Sequence, residues 1–155
     1  ELRILVSVLR DDGESDAAAP ARRPVRAPSE LADDLADRLV RDGFVVDLAV
    51  DPAIDSVEES TRRTTDRLLE VCVANIGSHA KPGSPCRLRL DVEESEVAIE
   101  VGSVLRTLWR PLRDPLRGGR GLRALRERIQ LTHGELTAAA EGDEWVVRAR
   151  IERPL

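Results

Sequence analysis

A chain of 155 residues has the length of one compact domain. Apolar residues make up 41%, enough for a core, and Lys+Arg 24 against Asp+Glu 29 leaves a formal charge of -5, which argues against a nucleic-acid binder held by phosphate contacts. No run of about 18 apolar residues exists to cross a bilayer, so a soluble domain is expected.

Only Phe44, Trp109 and Trp145 are aromatic, so the core must be aliphatic. Lys81 is the only lysine among the basic residues, a bias that points to a GC-rich genome rather than to arginine chemistry. Without a methionine, the chain is expected to be a processed product or a piece of a longer protein. Cys72 and Cys86 fit a reducing compartment, and no CxxC or His/Cys cluster suggests a metal site.

In chain order, Leu2, Leu5 and Leu9 have helical spacing, and Asp11, Asp12 and Gly13 stop the pattern. Residues 1–12 therefore read as the tail of a helix, 13–28 as an Ala/Pro/Arg/Asp linker, and 29–155 as the folded domain. Ser29 is placed to cap a helix with Leu31, Leu35, Leu39 and Val40 on one stripe, ended by Gly43. Residues 44–50 read as a strand. Ser56 and Glu59 form a capping box for a long helix to about Ala80, with Leu68, Leu69, Cys72, Val73 and Ile76 on its apolar face.

Cys86, Leu88, Leu90 and Val92 alternate with polar residues, as do Val97, Ile99 and Val101, so a hairpin is expected. From about 104 to 120 the pattern fails at Pro111, Pro115, Gly118 and Gly119, and a loop is expected. A helix follows from Leu122 to about Leu131, with Gly134 just beyond it, and a second hairpin turns at Gly142 and Asp143. This order suits a two-layer α/β sandwich, with three helices on one face of a mixed, mostly antiparallel sheet.

Two places could carry chemistry. Asn75 and His79 share a helix face. They read either as solvated side chains or as an amide that ligates Mg²⁺ beside an imidazole that contacts phosphate. Gly118, Gly119, Arg120 and Gly121 precede the helix at Leu122. They read either as a hinge or as a backbone cradle for phosphate at a helix N-terminus.

Taken together, LRILVSVLRDD, the linker, LLEVCVANIGSHAKPGS, the strand pair, GGRGLRALRERIQLTHGEL and VVRARIERPL resemble the ATP-binding domain of a sensor histidine kinase, with its gyrase-type ATPase fold. The resemblance is nearest to kinases that serve helix-turn-helix response regulators, common in high-GC Gram-positive bacteria. It implies a cytoplasmic domain using ATP and Mg²⁺, an upstream dimerisation and phosphoacceptor domain, a response regulator partner and a homodimeric full-length protein. No nucleic-acid partner is expected.

Residue by residue, the resemblance puts Asn75 at the family's Mg²⁺-holding asparagine, and His79 with Ala80 at the motif that closes near the phosphates. Gly119, Gly121 and Leu122 match the second glycine box under the ATP lid. Three departures stand out. Val71 occupies the place of a glutamate that acts on the phosphoryl acceptor, and Glu70 is rotated from it by about 100° around the helix. Ser103 replaces the aspartate that bonds the adenine amino group, and Leu105 and Thr107 replace two glycines. Ala124 and His133 also stand where glycines are common.

The expected function is therefore a sensor-kinase ATP-binding domain with a degenerate adenine site. The alternative is a non-catalytic regulatory or scaffolding module of the pseudokinase type. The ATPase cousins of the fold are less favoured by the helix tail and linker, and acyl-transfer and metal-hydrolase chemistry find no motif.

Overall fold

The computed structural model describes residues 26–106 and 120–154. The expected helix tail of 1–12, most of the linker, and the 107–119 part of the expected loop lie outside the described residues. Elements run in the order α1 (Pro28–Arg41), β1 (Val45–Val50), a 3₁₀ turn (Pro52–Ser56), α2 (Glu59–His79), β2 (Pro85–Val92), β3 (Glu96–Val104), α3 (Arg120–Leu131), β4 (Glu135–Glu141) and β5 (Glu144–Glu152).

The strands form one sheet in the order β1-β2-β3-β5-β4. β1 runs parallel to β2, because α2 carries the chain back between them, and the other pairs are antiparallel. Both expected hairpins are present. Leu88 faces Val101 and Val101 faces Val147, so one row of apolar side chains crosses the centre of the sheet.

All three helices cover that apolar face. α1 packs on α2 and β1, α2 on β3 and β5, and α3 on α2 and β4. Their buried residues, among them Leu39, Leu68, Leu69, Ile76, Leu122 and Ile129, join Leu88, Leu90, Ile99 and Leu136 in one aliphatic core. The expected two-layer α/β architecture is the one observed.

The helix ends correct several local expectations. Ser29 is not the cap of α1; Ala27 is, with Pro28 in the first turn. The Ser29 N–H and hydroxyl instead donate to the carboxylate of Asp55, at 2.9 and 2.5 Å. Val40 lies outside the apolar stripe and is exposed, whereas Ala32 and Ala36 lie inside it. The Ser56–Glu59 capping box is absent, because Ser56 closes the 3₁₀ turn and Glu58 is the residue that precedes α2.

Two turns of the same kind end α1 and α3. At α1, Gly43 (φ 99°) donates to the Val40 carbonyl and Phe44 to that of Leu39. At α3, His133 takes the left-handed position (φ 63°), and Gly134 donates to the Ile129 carbonyl at 2.9 Å. A Cβ on Gly134 would lie 2.4 Å from the Arg150 carbonyl and 2.7 Å from the Ile129 side chain. Glycine is thus required at 134 for close approach, while a histidine bears the strained angle.

Candidate functional site

The site expected from the sequence is built where the end of α2 meets the end of β3. α2 is long because its apolar positions recur over many turns, and Leu68, Leu69, Cys72, Val73 and Ile76 seat it on the sheet. Its final turns then project Asn75, half-buried, and His79, exposed, on one face. The helix stops at His79, and Ala80 adopts an extended conformation.

That extension makes a short antiparallel ladder with the residues after β3. Lys81 N–H donates to the Val104 carbonyl at 2.8 Å, and Arg106 N–H donates to the His79 carbonyl at 3.3 Å. Ala80 and Leu105 face one another between these bonds. Leu105 is held from the other side as well, by donating to the Asp143 carbonyl at 2.9 Å. Gly83 (φ 77°) closes the turn after Lys81, and the Ser84 hydroxyl donates to the Lys81 carbonyl at 2.5 Å.

Burial sorts the side chains of this clasp. Ala80 is buried and Leu105 half-buried, whereas His79, Lys81 and Arg106 are exposed. Alternation about the extended 80–105 pair explains the exposure of 81 and 106, while His79 ends the helix on its exposed side. Among the described residues, none of these three side chains has an ion pair. Glu144, opposite Val104 in the sheet, is engaged by Arg87 at 2.9 Å.

Two of the departures, Val71 and Ser103, are held in the apolar interior, whereas Ala124 and His133 are exposed. Val71 is 1% exposed and belongs to the core, so no polar group reaches the site from that position. Ser103 is 4% exposed on the inner face of β3, between Cys86 and Trp145. Gly121 and Leu122 are both buried in the first turn of α3, which begins at Arg120, and Gly119 lies outside the described residues. The structure therefore brings His79 and Leu105 together at the α2–β3 junction, with Ser103 two residues before Leu105 on β3, Asn75 one turn before His79 on α2, and Gly121 and Leu122 on the helix packed against α2.

Lys81 and Arg106 are absent from the sequence-derived candidates. Lys81 carried a signal, being the one lysine and standing two residues after His79. Arg106 carried none, because its partner is 27 residues distant in sequence.

Both cysteines are buried and free, and burial pushes the Cys72 thiol up to about 12, which makes it inert as a nucleophile. Among the described residues, no group of three or more His, Cys, Asp or Glu is placed to hold a metal ion. No helix among them is long and apolar enough to cross a membrane.

No family model and no curated protein matches the sequence. Solved structures do match. The chain is similar to the histidine kinase AdeS of Acinetobacter baumannii (14% identity, TM-score 0.62, covering 97% of this chain and 77% of that one). It is also similar to the histidine kinase domain of the blue-light activated histidine kinase of Erythrobacter litoralis EL346 (20%, TM-score 0.63, 97% and 78%). The mycobacterial sensor histidine kinase MprB matches at 14% identity and TM-score 0.54, over 82% of this chain and 95% of that one. At such identities the likeness is one of fold, and the fold of this chain is that of histidine kinase catalytic domains.

Proposed function

We propose that the chain is the ATP-binding domain of a two-component sensor histidine kinase, with a degenerate adenine subsite. The observation that carries this reading is the shared fold together with Asn75 on the last turns of α2, beside a glycine-led α3. ATP would supply the phosphoryl group, and the acceptor histidine would belong to an upstream dimerisation domain. A response regulator, a homodimeric full-length protein and a cytoplasmic site follow from the same reading.

The residues present fit the nucleotide unevenly. The Asn75 amide oxygen is a ligand type that Mg²⁺ accepts, and phosphate oxygens and water would supply further ligands. Ser103 offers a neutral hydroxyl to adenine where a carboxylate would give about 1 kcal/mol or more. Leu105, held on both sides by backbone bonds, brings a side chain where clearance for the base is needed. Val71 supplies no base, and loss of a general base typically costs about 10²- to 10⁴-fold in rate.

Calorimetric titration with a non-hydrolysable ATP analogue, with and without Mg²⁺, tests the reading. Weak, Mg²⁺-dependent binding is expected, tightening by about tenfold or more in Ser103→Asp with Leu105→Gly. Micromolar binding by the natural chain would refute the degenerate subsite. A second reading, a regulatory or scaffolding module without nucleotide, is favoured by the burial of Val71 in the core. Silence at millimolar analogue, unchanged by the double substitution, would select it.

A further inference from the structure

We propose that the free edge of β1 is a self-association surface, on which β1 of a second copy pairs antiparallel about Leu48 and continues the sheet across a two-fold axis. The proposal does not rest on the nucleotide reading. β1 ends the strand order and pairs with β2 alone. At the two ends of that ladder the N–H groups of Val45 and Asp51 donate to the Ser84 and Leu90 carbonyls, at 3.2 and 2.8 Å. Backbone groups alternate in direction along a strand, so those of 45, 47 and 49 point to β2 while those of Val46, Leu48 and Val50 point out of the sheet. Among the described residues, none of these three N–H groups donates to a backbone acceptor outside the sheet.

Burial is incomplete at the same place. Val46, Leu48 and Val50 pack on the core yet stay half-buried, whereas Cys86, Leu88 and Leu90 on the neighbouring strand are buried. On the outer face Val45 is 64% exposed. The strand VVDLAV carries no lysine, proline or glycine to guard its edge, and its one charge is Asp47. The far edge differs, because β4 has Glu135 and Glu141 at its ends.

A second copy fits because charge selects the register. A closed two-fold pairing of one strand with itself is antiparallel, and the outward groups of 46, 48 and 50 must exchange the bonds. Pairing about Leu48 sets Val46 opposite Val50 and Leu48 opposite itself, so the half-buried row covers itself. On the outer face Asp47 then meets Ala49, and Val45 meets Asp51. Moving the centre to 47 sets Asp47 against Asp47, and moving it to 49 sets Asp47 against Asp51 and Val46 against Pro52. Like charges directly opposite are destabilising, and Pro52 has no N–H to give. A strand of six residues makes a small interface, so the dimer is a weak, concentration-dependent one.

The test measures sedimentation equilibrium of the full chain up to about 1 mM, with amide hydrogen exchange on the same samples. A dimer that forms with concentration is expected, and the N–H groups of Val46, Leu48 and Val50 should gain protection as it forms. Val45→Glu with Ala49→Glu opposes acids to the second copy's Asp51 and Asp47 and should weaken the dimer at least about tenfold, whereas Val45→Lys with Ala49→Lys should tighten it. Both positions are exposed and keep their backbone bonds to β2, so the fold should persist, which thermal midpoints check. Thr137→Glu with Ala139→Glu adds the same charge at exposed positions of the far edge and should leave association unchanged. A monomer throughout, a dimer that leaves the three amides unprotected, or equal weakening by the lysine or the far-edge pair overturns the proposal. Protection of those amides in a monomer overturns it too, and gives the edge to residues of the same chain.

Discussion

The two faces of the sheet are made by alternate residues of the same strands, yet they are stabilised by different physics. On the inner face Leu88, Val101, Val147 and Ala138 follow one another across four strands and are buried under the helices. On the outer face the next row is Arg89, Glu100, Arg148 and Thr137, open to water. The inner row works by excluding water, and its contribution scales with area. The outer row consists of partnered charges whose attraction is screened, and each pair contributes little by itself. One face can therefore carry stability while the other remains free to vary.

Substitutions in the inner row should have the largest effect. Ile99→Ala removes a side chain that is 2% exposed beneath the helices and should cost about 2–5 kcal/mol, read from denaturant unfolding. A loss below about 1 kcal/mol would mean that the helices do not cover the sheet as described.

Gly134→Ala lies at the edge of the comparison, where α3 turns back into the sheet. The added Cβ meets a backbone carbonyl at 2.4 Å, which has no rotamer to escape into, so a cost of about 1–3 kcal/mol is expected. His133→Gly next to it should instead stabilise by about 1 kcal/mol, because it relieves a left-handed angle. Thermal midpoints moving in opposite directions would establish this division of labour.

Asp66 sharpens the contrast, since it is a charge placed towards the apolar side. Its Oδ1 is buried without a hydrogen-bond partner. Burial first, then the neighbouring Glu70, pushes its carboxyl up from 3.8 to about 7, against the pull of Arg62, with Asp55 adding slightly to the rise. The folded chain therefore holds a proton that the unfolded chain releases near pH 4, and stability should fall as pH rises from about 4 to about 7, then level off. Asp66→Asn should flatten that interval and exceed the natural chain in midpoint above pH 7. An unchanged slope in the variant would assign the effect to other groups.

On the outer face the smallest effect is expected. Burial alone would raise the Glu100 carboxyl, but hydrogen bonds from Arg87 and Arg148 prevail and hold it below the usual range. Arg87 also lies over Gly102, where a Cβ would come within 2.8 Å of its guanidinium. Arg87→Ala should cost about 1 kcal/mol, and the difference should shrink in high salt. A cost as large as that of Ile99→Ala would erase the distinction between the faces.

Periodicity made the elements legible: the stripe of α2 and the alternation of β2, β3 and β5 are properties of local sequence. Positions that depart from their local pattern do so because of what the rest of the fold offers or withholds. Ser29 has the composition of a cap, but Asp55, 26 residues on, takes its hydroxyl. Val40 continues the helical spacing of Leu39 yet points to water, because the helix meets the sheet over a narrower arc than the pattern suggests.

The candidate site divides in the same way. The sequence by itself determined the fold class, the aliphatic core, the three helices and both hairpins, and it marked Asn75, His79, Ser103 and Leu105 as the positions to weigh. Tertiary structure alone decided that Val71 faces the core, that Leu105 is pinned between Ala80 and Asp143, and that Arg106 stands beside His79 and Lys81. The reason is physical: periodicity records which face of an element meets water, while the meeting of two distant segments depends on backbone hydrogen bonds, whose donors and acceptors are common to almost every residue and leave little trace in composition.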